Sequence, residues 1–308
     1  MTDAALNRQV MVQGSASFRA ATRLFDQALR EDVWALYAWC RYCDDQIDGQ
    51  DLGHGFEALT PATRQARLEA LRRQTADALA GRPVSSPPFE ALQSVARRRQ
   101  LSPEGPMILL DGFSMDVEAR RYETLSELLE YCWGVAGVVG VMMAEIMGAR
   151  DPAALRRAQD LGLAFQLTNI VRDIIEDAQA GRVYLPAQSL RAQGVEPTPD
   201  GVLAAPREAL HAAARELLAT AELYYDSARR GVRALPLRAA LATAAARGVY
   251  REIGRRIGRR GPEALDSRMV VPRPLKLWLA ARGTGIALWS RIEGLRPIPA
   301  RPDLWTRV

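Results

Sequence analysis

Gln166-Leu167-Thr168-Asn169-Ile170-Val171-Arg172-Asp173-Ile174-Ile175-Glu176-Asp177 is a polar ladder threaded through an apolar helix. At about 100° per residue, Gln166, Asn169, Asp173 and Asp177 fall in a narrow arc, with Leu163, Leu167, Ile170 and Ile174 in a stripe beside them. Phe165, Val171 and Ile175 place apolar groups on the other sides, so the helix reads as buried nearly all round. Ionised carboxylates do not enter an interior without cations, so these acids should face a wet cavity, bind metal, or both.

A second stretch repeats the design. In Asp44-Asp45-Gln46-Ile47-Asp48 and the residues before it, Tyr37, Arg41, Asp44 and Asp48 line one helical face, and Leu36, Cys40, Cys43 and Ile47 form an apolar stripe one residue round. Trp34, Tyr37 and Trp39 occupy the remaining sides, which argues for a site rather than a solvent face. The acids span about 6 Å on this helix and about 12 Å from Asn169 to Asp177 on the other, by helical rise. Facing each other, they would hold several ions. Hard oxygen ligands suit Mg²⁺, which is usually completed by substrate phosphate oxygens, and Arg41 and Arg172 are placed to bind phosphate directly. The chemistry suggested is departure of a diphosphate, with an apolar cavity sheltering the carbocation from water.

Competing readings fail on spacing. A calcium loop starting at Asp44 has Gln46 at its third position and Gly55 where a bidentate glutamate belongs. Cys40 and Cys43 sit mid-helix on the packing stripe and read as core thiols, and Cys132 makes the count odd for a disulfide framework. Two histidines give a Ser-His-Asp hydrolase little to work with, no phosphate-cradling glycine loop appears, and Lys276 is the sole lysine, which discounts Schiff-base chemistry.

The rest of the chain reads as helix after helix: to about Arg30, 31–48, 61–79, to about 99, 107–119, 125–147, 152–179, 207–230, 237–260 and 274–292, with a loop over 193–206. Glycines 134, 137 and 140 are expected to share one face and admit a helix or a long apolar ligand. With no β alternation and no repeat, the expectation is an all-α single domain over 1–308 of roughly ten helices around a central cavity. At 48% hydrophobic and 25% charged residues, a large core is available. The longest apolar run, Trp133 to Ala144, falls short of a bilayer span, and no signal peptide is visible, so a cytoplasmic location is expected. From Arg229 onward there are 18 basic and 5 acidic residues, against 23 and 31 before it. No nucleic-acid motif accompanies that charge; an anionic membrane surface or a polyanionic substrate fits it.

Together these residues resemble the head-to-head prenyl synthases, the squalene and phytoene synthases. Tyr37-Ala38-Trp39-Cys40-Arg41 leading into the first acid motif, Tyr131-Cys132-Trp133-Gly134 through Gly140, and Leu163 through Pro186 carry the resemblance, which runs from Ser15 to Trp305. It implies a class I isoprenoid-synthase-like helical bundle and is strongest for the bacterial phytoene synthase branch. That branch condenses two geranylgeranyl diphosphates through a cyclopropylcarbinyl diphosphate to phytoene, the first committed step of carotenoid biosynthesis, with Mg²⁺ or Mn²⁺ and no NADPH. The alternatives are a C30 synthase using farnesyl diphosphate and a non-catalytic binding protein on the same fold.

The resemblance also implies roles. Asp44, Asp48, Asn169, Asp173 and Asp177 match metal-binding positions, and the four aspartates with Arg41 and Tyr131 match catalytic ones. Ser15, Ser17, Arg41, Gln166 and Tyr250 match positions near the diphosphates, Phe18 and Arg172 match further substrate-binding positions, Tyr37, Tyr131 and Tyr184 match cavity tyrosines, and Val135, Ala136 and Gly140 line the pocket. Trp133 stands where tyrosine is common and bears on pocket shape. Implied partners are isoprenoid diphosphates, other carotenoid-pathway enzymes, and transient contact with the inner face of the cytoplasmic membrane, with no nucleic acid.

Overall fold

Helix starts are set by caps written into the sequence. Asp26 accepts the Leu29 amide at 2.9 Å and opens α1 (Gln27–Asp48), which Gly49 ends at φ 68°. Thr60 and Pro61 start α2 (Pro61–Leu79), followed by α3 (Pro87–Arg99) and α4 (Glu104–Val117). Thr124 caps α5 (Leu125–Cys132), which runs through a π-helical turn at Trp133–Gly137 into α6 (Val138–Ile146). Asp151 and Pro152 start α7 (Pro152–Arg172), and α8 (Ile174–Gln179), α9 (Ala187–Arg191) and α10 (Pro199–Ala204) are short. The long α11 (Arg207–Gly231), α12 (Leu237–Arg260) and α13 (Arg273–Glu293) complete the series. This computed structural model describes residues 22–50, 59–293, 301 and 303–307, with no strand among them.

α7 is the axis of the bundle. It packs along α11, against α6 and the π turn, and against α12, while α1 lies on α3 and α13 on α12. Leu163, Leu167, Ile170 and Val171 are at or near zero exposure, so the helix is buried as its pattern predicts. Leu125–Ile146 is long and apolar enough to cross a bilayer, but most of its apolar stretch is buried inside the fold, and it serves as a core helix.

Four expectations need correction. The two helices expected to meet at Glu31 are one, because nothing in the chain from Gln27 breaks it and Asp26 supplies the cap. The helix expected over 152–179 bends at Asp173, whose φ −107° and ψ 16° lie in the bridge region, although its amide still donates to Asn169 O at 2.9 Å and its carbonyl accepts from Asp177 at 2.8 Å. The loop expected over 193–206 holds α10, capped by Thr198 with Pro199 in the first turn. The three glycines do not share a partner, because the π turn re-aims them. Gly134 faces α4, where an added Cβ would lie 2.8 Å from Gly112 Cα, Gly137 is covered by the Trp133 ring, and Gly140 meets the α7 backbone at Ala158.

Candidate active site

Between α1, the π turn, α6, α7 and α12 lies a cavity of about 600 Å³. Its wall on α7 is the stripe Ala154, Ala158, Leu161, Phe165, Asn169 and Arg172, so it follows that helix for about 27 Å. One end is polar: Tyr37 and Arg41 from α1, Gln166, Asn169 and Arg172 from α7, Tyr250 from α12, and Arg268 and Lys276 from farther on. The other end is mainly apolar, with Val139, Met143, Met147 and Leu235 beside the buried Arg157. Val135, Ala136 and Gly140 line the wall between. Phe165 stacks on Tyr250 with ring centroids 4.3 Å apart, presenting aromatic surface beside the polar end. Burial pushes the Tyr37 hydroxyl up to about 12, so it stays protonated.

The acids stand behind the arginines of this polar end and not on the cavity wall, and Asp44, Asp48 and Asp173 each hold an arginine. Arg41 donates to Asp44 at 3.0 Å and lies 3.1 Å from Asp45. Arg182 pairs with Asp48, joining the segment after the second motif to the first. Arg172 and Arg268 both reach Asp173, at 2.7 and 3.2 Å. The pairing is incomplete. Burial, then the neighbouring Asp48, raises the Asp44 carboxyl to about 7, and burial, then Asp173, raises Asp177 to about 8. Asn169 Oδ1 is buried without a hydrogen-bond partner.

Three residues here escaped the sequence reading. Asp116 on α4 accepts from the Tyr131 hydroxyl at 3.0 Å and from the Tyr184 hydroxyl at 2.7 Å, and burial raises it to about 6. A lone aspartate near a helix end gives no signal of this. Arg182 sits inside a quoted motif without an assigned role, and Arg268 reaches Asp173 across 95 residues, which no local pattern reveals. The expected cavity tyrosines divide accordingly. Tyr37 is on the cavity wall, whereas Tyr131 and Tyr184 stack on each other at 5.0 Å and are drawn off the wall to Asp116. Asp177 lines a small pocket with Arg182 and Tyr184. Trp133, expected to shape the main pocket, is buried over Gly137 instead. Ser15, Ser17 and Phe18 lie outside the described residues.

Among the described residues, no three acids converge tightly enough to hold an ion as they stand. The donor set nevertheless fits a hard divalent cation. It is all oxygen, it contains an orphaned amide oxygen at Asn169, and two of its carboxyls are raised well above the usual carboxylate range by burial and by a neighbouring aspartate each. Cations would relieve all three.

A helical bundle that encloses an apolar cavity and gathers the acids of two helices at one end is the architecture of the isoprenoid synthases. The chain belongs to the squalene/phytoene synthase family, whose model matches residues 11–275. It is 48% identical to a 15-cis-phytoene synthase of Paracoccus sp. (strain N81106 / MBIC 01143), covering 100% of this chain and 99% of that one. It is also 48% identical to a 15-cis-phytoene synthase of Pantoea ananas, over 97% and 96% of the two chains. Among solved structures, a ligand-bound dehydrosqualene synthase matches at a TM-score of 0.81 and 28% identity, with 92% and 95% coverage. A squalene synthase from Alicyclobacillus acidocaldarius matches at 0.72 and 26%, with 84% and 94% coverage.

Proposed function

We propose that this chain is a phytoene synthase, a prenyltransferase joining two geranylgeranyl diphosphates head to head. The observation that carries this is the full-length likeness to 15-cis-phytoene synthases, on a chain whose cavity joins a cationic end, its arginines backed by the acids of two helices, to a long and mainly apolar tunnel. Two C20 diphosphates enter; two diphosphates and two protons leave with the C40 hydrocarbon. No electrons are gained or lost, so the reaction needs no NADPH.

In this reading Asp44, Asp48, Asn169, Asp173 and Asp177 would hold Mg²⁺ or Mn²⁺, which would supply positive charge for a departing diphosphate. Arg41, Arg172, Arg268 and Lys276 surround the same end and take the phosphate oxygens, with Gln166 as a neutral partner. Each arginine holding an acid here is positioned to exchange that acid for phosphate when substrate arrives. Phe165, Tyr250 and Tyr37 offer ring faces where positive charge develops on carbon, and the apolar walls keep water from it. Asp116 fixes Tyr131 and Tyr184 as a stacked pair under the carboxylates.

Incubation of the purified protein with Mg²⁺ and geranylgeranyl diphosphate should release diphosphate and give a C40 hydrocarbon by mass. A C30 hydrocarbon from farnesyl diphosphate, with the C20 substrate inert, would replace the reading with a C30 synthase. No turnover of either would leave a binding protein.

A further inference from the structure

Three walls of the cavity change together along its length. On α6 and the residue that ends it, the lining positions Gly140, Met143 and Met147 share one helical face, and that wall grows from no side chain to two long ones. The lining of α12 runs from Tyr250 through Ala246 to Thr243, and that of α7 from Phe165 through Ala158 to Arg157. Aromatic rings stand at the polar end, alanine and glycine leave the middle open, and bulk returns at the far end.

That far end is closed by a contact. Thr243 Oγ1 lies 3.9 Å from Met147 Sδ, so α6 and α12 meet across it. Leu235, buried in the link between α11 and α12, stands beside them. Arg157 completes the closure from α7 and is fixed there: it donates to the Ser227 hydroxyl at 2.5 Å, Ser227 donates to Asp160, and Arg301 holds Asp160 at 2.7 Å. An added Cβ on Gly231 would overlap the Arg157 side chain, so α11 presses on the arginine stem and leaves it no room to swing aside. An apolar chain pushed past this point would crowd a buried charge and offer it no hydrogen bond.

The position of the closure gives it a meaning. From Arg172 at the polar end to Arg157 at the far one, α7 makes about four turns, and one turn, about 5.4 Å, is close to what one isoprene unit adds to an extended chain. Four units span that length and a fifth overruns it. We propose that the contact of Met147 with Thr243, beside Arg157, is the floor of the prenyl channel and limits the accepted chain to four isoprene units. This floor presupposes the prenyl diphosphate substrate proposed above. Apolar pockets reject even one surplus methylene by roughly tenfold or more, so a floor displaced by one turn changes selectivity measurably.

The test is calorimetric binding of non-hydrolysable thiolodiphosphates with C15, C20 and C25 chains to the full-length protein, beside steady-state rates on the matching diphosphates. Met147→Ala lowers the floor, Met147→Leu keeps its bulk, and Ala246→Leu raises it by about one turn. The unmodified protein should prefer C20 to C25 by at least about tenfold. Met147→Ala should erase that preference, Met147→Leu should retain it, and Ala246→Leu should shift selectivity toward C15 by a similar factor. Circular dichroism checks that the helices persist, and if Met147→Ala does not fold, Ala246→Leu decides alone. Selectivity ratios unchanged by the floor substitutions overturn the proposal, as does an unmodified protein that binds C25 as tightly as C20. Binding in the expected order without a C40 hydrocarbon would strike the synthase reading and leave the floor standing; a C40 hydrocarbon with unchanged ratios would do the opposite.

Discussion

α7 carries two buried acidic centres about 20 Å apart by helical rise, and they are built oppositely. Asp160, at 0% exposure, is gripped by Arg301 at 2.7 Å and by the Ser227 hydroxyl, which Arg157 also holds. At the other end Asp173 has two arginines, yet Asp44 and Asp177 nearby are raised to about 7 and about 8, and Asn169 Oδ1 has no partner. The first centre is closed and the second is short of positive charge. A buried acid fully satisfied by its own chain is structural; one left in deficit waits for something that the chain does not supply.

The largest expected effect separates the two centres directly. Asp173→Asn should lower turnover by on the order of 10³-fold, because stabilisation of the leaving charge is lost, while thermal unfolding stays near that of the unmodified protein. Asp160→Asn should do the reverse, costing about 3–5 kcal/mol by leaving Arg301 buried without its counter-charge, with kcat of the remaining folded protein little changed. Calorimetry paired with steady-state rates reads both, and a stable but inactive Asp160→Asn protein would break the contrast.

Next comes pH. In the folded chain without metal, Asp44 and Asp177 keep protons until about 7 and about 8, whereas in the unfolded chain they lose them near a pKa of about 3.9. Through that window the fold binds more protons than the unfolded state, so stability should fall as pH rises from 5 to 8. Magnesium should reverse the trend, releasing protons as it binds and raising the melting temperature more at pH 8 than at pH 6. Denaturation scans at the two pH values, with and without magnesium, measure this; an effect of magnesium independent of pH would sink it.

A smaller effect is expected at the cavity wall. Phe165→Leu keeps apolar volume but removes the ring stacked on Tyr250, and should slow turnover about 5- to 10-fold through weaker cation stabilisation, with KM less affected. The smallest is at Glu222, a partly exposed carboxylate between Arg251 and Arg255 on α11 and α12. Glu222→Gln should cost under about 1 kcal/mol and leave activity alone.

Where the chain punctuates itself, its sequence was enough. Thr60-Pro61 and Leu79 bound α2, and Pro236 and Gly261 bracket α12, at the expected residues. The bend at Asp173 was illegible, because no proline or glycine marks it and its carboxylate is claimed by Arg268, 95 residues away. The π turn was equally silent: Trp133–Gly137 has the composition of ordinary buried helix, and the extra residue per turn shows only in which neighbours Gly134 and Gly140 meet. The acid ladders on α1 and α7 were visible because periodicity collects them on one face. Asp116 was not, since its meaning comes from two tyrosine hydroxyls on other segments, and Tyr131 and Tyr184 could be placed near the acids but not turned toward it.

The Asp160 clamp has a consequence in time. Arg301 lies 141 residues downstream of the acid it neutralises, and the segment it belongs to is tied further by Tyr224 donating to Trp305 O at 3.2 Å and by Arg301 to Leu304 O at 2.7 Å. A ribosome making this chain presents α7 early, with its central charge uncompensated, and delivers the counter-ion only after α8 to α13 have emerged. A nascent or prematurely ended chain that stops before Arg301 therefore leaves the acid at the axis of its bundle with the Ser227 hydroxyl but without its direct counter-ion, which makes completed synthesis a condition for fully closing the helix that also bears Asn169 and Arg172.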